Sequence, residues 1–170
     1  AEQLYREALA IKKKALGDDH PSVATGLNNL AELLRGIRDY AGAEPLYREA
    51  IAIGEKILGR DNPDMATGLN NLAELLRTKG DYDGAEPLYR ESLAIRKKAL
   101  GNDHPDVAQS LNNLAQLLSS KGDYEGAIPL QEEALKIQEK TQGREHPQFA
   151  SGLNNLALLL YKKGDYDGDE

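Results

Sequence analysis

Leucine and alanine recur along the chain at i, i+3, i+4 and i+7, as at Leu69, Leu72, Ala73 and Leu76, which places them on one face of a helix. A second stripe, Thr67, Asn70, Asn71, Glu74, Arg77 and Thr78, follows the same helical spacing beside that face and is polar throughout. Pro63 stands behind Asn62, fitting proline at a first helical position after a capping residue. We call this predicted element helix A. After Gly80, where Asp81 or Asp83 can cap, Ala85, Leu88, Tyr89 and Ser92 carry a second helical face that Gly101 stops. This is helix B, and Pro87 inside it predicts a bend or a tightened first turn.

The pattern repeats every 42 residues, as at Leu27, Leu69, Leu111 and Leu153, or Pro21, Pro63, Pro105 and Pro147. A fixed period in this range marks stacked supersecondary units that bury their apolar faces only against their neighbours. The predicted fold is all-α: eight helices in the order B-A-B-A-B-A-B-A, forming a right-handed α-solenoid as one domain. Residues 1–17 form a helix B, residues 21–59, 63–101 and 105–143 form three full repeats, and residues 147–170 form the helix A of a truncated fourth. Arg38 stands where the other repeats have Gly80, Gly122 and Gly164, so a left-handed turn there strains the first repeat by about 1 kcal/mol.

Composition narrows the function classes. With 40% hydrophobic and 29% charged residues and no apolar run of membrane-spanning length, the chain reads as soluble, with no membrane partner. The N-terminus lacks the apolar core of a signal peptide, and a cytoplasmic location is expected. The missing initial Met reads as a segment of a longer protein. The absence of cysteine removes disulfides, thiolate metal sites and thiol nucleophiles. A net charge of −7, with both signs interspersed, leaves no basic surface for nucleic acid. No phosphate-binding glycine loop or catalytic arrangement can be read, so neither an enzyme nor a cofactor is expected. His20, His104 and His146 precede prolines where the second repeat has Asn62, which fits capping better than a metal site. The basic runs "IKKKALG" and "IRKKALG" lie near helix C-termini, where cations favour the dipole, and read as solvated.

The stretches "HPDVA" (104–108), "LNNLA" (111–115), "KGDY" (121–124) and "AEPLYRESLAI" (85–95) resemble the tetratricopeptide repeat, in its 42-residue variety found in kinesin light chains and many bacterial multi-repeat proteins. The resemblance covers the whole chain. It implies that helix A lines a concave surface and that the amide stripe, Asn28, Asn29, Asn70, Asn71, Asn112, Asn113, Asn154 and Asn155, contacts a peptide segment of another protein. An amide can both donate to and accept from the backbone of an extended peptide, whatever its side chains. The same asparagines could instead join neighbouring A helices. Eight unpartnered buried amides would each cost roughly 1–3 kcal/mol, so they are expected to be solvated or hydrogen-bonded.

Specificity is then expected from the rows that vary: Glu32, Glu74, Gln116 and Leu158, and Arg35, Arg77, Ser119 and Tyr161. A ligand would set charged groups near Arg35 and Arg77 and an apolar side chain near Leu158 and Tyr161. Departures gather towards the C-terminus, where Gln131 replaces the tyrosine of Tyr5, Tyr47 and Tyr89. The last helix A, with Leu153, Leu156, Ala157 and Leu160, lacks a following helix B, and the first helix B, with Leu4, lacks a preceding helix A. An idealised repeat scaffold without a natural ligand, self-associating head-to-tail through these faces, is the alternative function.

Overall fold

The computed structural model describes residues 1–167, with side chains described through Gly164. Among these residues it contains eight helices and no strand: α1 (Glu2–Leu16), α2 (Pro21–Gly36), α3 (Tyr40–Leu58), α4 (Pro63–Thr78), α5 (Tyr82–Leu100), α6 (Pro105–Lys121), α7 (Tyr124–Gln142) and α8 (Pro147–Asp167). The chain divides within α5 into two compact units, Ala1–Leu88 and the part from Tyr89 onward.

In the first unit, α2 packs against α1 and α3, and α3 against α4. The seam between α2 and α3 is closed by Leu27, Leu30, Ala31 and Leu34 on one side and by Ala43, Tyr47 and Ala50 on the other, all buried. In the second unit, Leu111, Leu114, Ala115 and Leu118 of α6 meet Ala127, Gln131 and Ala134 of α7, which also packs against α8. Each fully buried leucine contributes roughly 1.5–3 kcal/mol, so this stripe carries most of the cohesion of a unit. Leu75 and Leu117 are buried too, although they lie off the stripe read from the sequence. Leu88, assigned there to the buried face of helix B, is only half-buried.

The caps explain where the helices start. The Nδ1 atoms of His20, His104 and His146 accept from the backbone N–H groups of Ser22, Asp106 and Gln148 at 3.1, 3.1 and 3.2 Å. Asn62 does the same for Asp64 with its amide oxygen at 2.9 Å. Either residue type offers an acceptor at the right reach, which accounts for their exchange. Helix B is capped by the first aspartate of its turn: Asp39, Asp81 and Asp123 accept from Gly42, Gly84 and Gly126 at 2.8–2.9 Å. A Cβ on any of these three glycines would lie 2.4–2.5 Å from the capping carboxylate, so a larger residue there would displace the cap.

α3 runs unbroken past Pro45. Pro45 and Ala41 are both exposed, so the carbonyl that the proline cannot serve lies on the side open to water. The A-to-B turn is left-handed at Gly80 and Gly122, with φ of 83° and 82°, and Arg38 adopts the same conformation with φ of 65°. Gly164 departs from this pattern, because α8 remains helical through it to Asp167 instead of turning. At the other turns a capping aspartate starts a packed helix B at once.

Candidate functional site

Each A helix presents its amides beside the buried leucine face. Asn28, Asn70, Asn71, Asn112, Asn113 and Asn155 are half-buried, whereas Asn29 and Asn154 are exposed. The Oδ1 atoms of Asn28 and Asn112 are buried and have no hydrogen-bond partner among the described residues.

The charged row is paired within its own helices. Arg35 Nη2 donates to Glu32 Oε2 at 2.8 Å, and Arg77 donates twice to Glu74, Nε to Oε2 at 3.0 Å and Nη2 to Oε1 at 2.6 Å. Each guanidinium is paired one helical turn back along its own helix. In the first repeat the pair also ties down helix B, since the buried Tyr47 hydroxyl donates to the other oxygen of Glu32. The bond to Glu32 raises the Arg35 pKa. Burial, and then the bond to Glu32, push the Tyr47 hydroxyl well above its ordinary range. Further along this row, Gln116 is exposed and Ser119 half-buried, and Leu158 and Tyr161 stand out from α8, both exposed.

At the edge of the stripe the structure opens two cavities, one in each unit, at equivalent positions of the repeat. The first, about 240 Å³, lies among α2, α3 and α4 and is lined mainly by apolar groups, including Ile53, Ile57, Leu58 and Met65, with Asn28 at its side. Gly54 makes room there for Met65, whose Sδ would sit 2.7 Å from a Cβ on that glycine. The second, about 330 Å³, lies among α6, α7 and α8 and brings together Asn112 and Asn155 with Gln109, Gln138, Gln142 and Gln148. Sequence reasoning missed Gln138 and Gln142. The available signal was divergence at fixed phase: Lys12, Gly54, Arg96 and Gln138 share one row, and Leu16, Leu58, Leu100 and Gln142 the next.

The basic runs do more than favour a dipole. Lys13 reaches Glu49 on the next helix B at 2.5 Å, and Lys97 reaches Glu133 at 2.7 Å. Lys56 pairs with Asp19, and Lys140 with Asp103. Lys79 binds Glu44 at 2.5 Å and, with Arg48, lowers the pKa of that carboxylate. Among the described residues, no group of histidine and acidic side chains is arranged to hold a metal ion, and no helix is long and apolar enough to cross a membrane.

Helix pairs repeated at a fixed period, with a polar stripe beside each buried seam, define an all-α helical-repeat protein of the solenoid class. The tetratricopeptide repeat model matches residues 1–63, 64–140 and 120–168, and the chain belongs to that family. Its repeats are of the kinesin-light-chain-like variety. The chain is similar to the nearly identical TPR-like repeats of a Podosopora anserina protein assigned as a kinesin light chain, with 27% identity and a TM-score of 0.85 over 98% of this chain and 79% of that one. It is also similar to BtubC (BKLC) from P. vanneervenii, with 28% identity and a TM-score of 0.87 over 98% of this chain and 66% of that one. The apo form of RapI, 18% identical, shares the fold at a TM-score of 0.80 over 96% of this chain and 57% of that one. No curated protein matches the sequence. Proteins of this family are in general scaffolds for protein–protein interaction.

Proposed function

We propose that the A-helix stripe of each unit binds a peptide segment of another protein, extended or as a short helix, and that the chain acts as a scaffold without catalysis. The observation that carries this reading is the pair of buried, unpartnered amide oxygens on Asn28 and Asn112, each beside a cavity at the edge of the stripe. An acceptor held out of water without a donor costs roughly 1–3 kcal/mol, and a peptide N–H delivered to it recovers that cost. Because Arg35 and Arg77 are already paired with carboxylates, peptide contact falls chiefly to the amides, with Gln116, Leu158 and Tyr161 varying it along the second unit. The test is capture of a peptide from a displayed library. Replacing Asn70, Asn71, Asn112 and Asn113 by alanine, with helicity and melting unchanged, should abolish retention. Retention at the native level would sink the reading.

A second reading has its own observation. Leu153 and Leu160 of α8 are 47% and 51% exposed, whereas their counterparts Leu27 and Leu34 are covered by helix B. Tyr5 and Leu4 of α1 are exposed, whereas Tyr47, the counterpart of Tyr5, is buried beneath helix A. Each face thus lacks what the other carries, and two copies can stack head-to-tail through them. Such a contact is heterologous and propagates as an open array unless its rotation closes a ring. Leu156, placed on the same face from the sequence, is half-buried and offers less. Light scattering across a concentration series should show mass growing with concentration; a constant monomer mass removes this reading.

A further inference from the structure

The cavity among α6, α7 and α8 holds three buried acceptors that nothing among the described residues serves, where its counterpart in the first unit holds one, Asn28 Oδ1. Gln138 is 7% exposed, and its Oε1 has no hydrogen-bond partner among the described residues. The same is true of Gln142 Oε1 and Asn112 Oδ1, and all three side chains line this cavity. The one charged residue among its described lining is an acid, Asp106. Three buried amide oxygens and a carboxylate call for a group rich in donors and positively charged.

The chain displays such a group at the preceding junction. Arg96, one period before Gln138 and on the same face of its helix B, extends Nη1 onto α6, where it donates to Asp106 O at 3.2 Å and to Ser110 Oγ at 2.9 Å. One period later arginine has become glutamine, and Ser110 has become Gly152. The shorter side chain leaves the space open, and the missing hydroxymethyl group widens it. Gln138 Oε1 lies against Gly152, 2.8 Å from where a Cβ would stand, so its amide is held in place by packing. Gln131 Nε2 donates to Gly152 O at 3.3 Å and fixes α8 against the same wall.

We infer that this cavity is a recognition pocket for an arginine side chain of the bound peptide, whose guanidinium donates to Asn112, Gln138 and Gln142. The inference rests on the peptide-binding reading of the stripe and adds a chemical requirement to it. A planar guanidinium carries five N–H donors in a fixed fork and so can serve several acceptors at once, which an ammonium does less well. The counterpart cavity, with Gly54 and Leu58 in place of Gln138 and Gln142, offers one such acceptor, Asn28, beside Asp64, and so makes a smaller demand.

The probe is the peptide acetyl-Gly-Ala-Arg-Ala-Gly-amide, compared with versions carrying lysine or norleucine at the centre. Binding is followed through the side-chain amide resonances of Asn112, Gln138 and Gln142 in the nitrogen–proton spectrum of the whole chain. The arginine peptide should shift these resonances saturably, and the norleucine peptide should bind roughly tenfold more weakly. Gln142→Leu, which places there the residue found at 58 and 100, should remove the preference without unfolding the helix. No saturable shift, or equal binding of the lysine or norleucine peptide, overturns the inference. A library peptide lost on Asn70→Ala with Asn71→Ala, yet indifferent to Gln142→Leu and to loss of its arginines, overturns the pocket and leaves the stripe reading standing. Indifference to both sets of variants removes both.

Discussion

The buried hydroxyl of Tyr47 donates to Glu32 Oε1, while the other oxygen of that carboxylate holds Arg35. One side chain thus joins helix B to helix A in the first repeat while it pairs with the neighbouring guanidinium.

Tyr47→Phe should cost about 1–2 kcal/mol, since it removes a hydrogen bond to a charged acceptor while Arg35 still serves Glu32. It should also change the alkaline limb of the stability curve. The folded-state pKa of Tyr47 is raised by burial and by Glu32. Its contribution is therefore fully present below the unfolded value of about 10 and is lost as pH rises from there towards the folded value. Urea unfolding between pH 8 and pH 11 should show a steeper loss in the native chain than in Tyr47→Phe. Parallel curves would show that the tyrosine does not report on this contact.

Arg38→Gly should stabilise the first unit by about 1 kcal/mol, because φ of 65° penalises a residue with a Cβ and suits glycine, as Gly80 and Gly122 show. Arg38 is exposed, so little packing is lost with its side chain. Thermal unfolding should move upward by a few degrees, roughly the shift expected for 1 kcal/mol in a chain of this size. A fall would mean that Arg38 makes a contact worth more than its strain.

Gly152→Ala should loosen α8 from α7. A Cβ there meets Gln138 Oε1 and Leu135 Cδ2, both at 2.8 Å, closer than real Cβ contacts come. Overpacking of this kind costs about 1–3 kcal/mol. Gly36→Ala is the control: nothing lies within 4 Å of its would-be Cβ and the position is helical, so the same change should be neutral or slightly stabilising. Hydrogen exchange of the α8 amides separates the two, with faster exchange expected only for Gly152→Ala.

Much of the fold was legible because a 42-residue period repeats each local signal: leucine spacing, proline behind a cap, glycine at the turn. The caps at His20, Asn62, His104 and His146 and the strained Arg38 could be read from aligned repeats alone. The candidate site was less legible where packing between helices decides. Glu32 and Arg35 stand three residues apart, a spacing that allows the pair, yet nothing local shows that Tyr47 locks it. Gln138 and Gln142 sit on the helix B face turned towards the following helix A, and their burial depends on how α7 meets α8. Polar side chains at the end of a helix look solvated until that contact is known.

The exposed face of α8 carries the last prediction. If Leu153 and Leu160 receive α1 of a second copy, replacing both by glutamine should hold the chain monomeric at concentrations where the native chain grows in mass. Burying two leucines contributes roughly 3–6 kcal/mol, enough to offset much of the entropy lost on association, and glutamine forfeits most of it. Leu100→Gln serves as the control, since that leucine is 42% exposed at the end of α5, away from the α8 face. It should leave the association unchanged. Sedimentation velocity of the three chains at matched concentrations decides the matter: equal loss of association in both variants would point to general stickiness of exposed leucine, and loss only in the Leu153 and Leu160 pair to stacking through the terminal face.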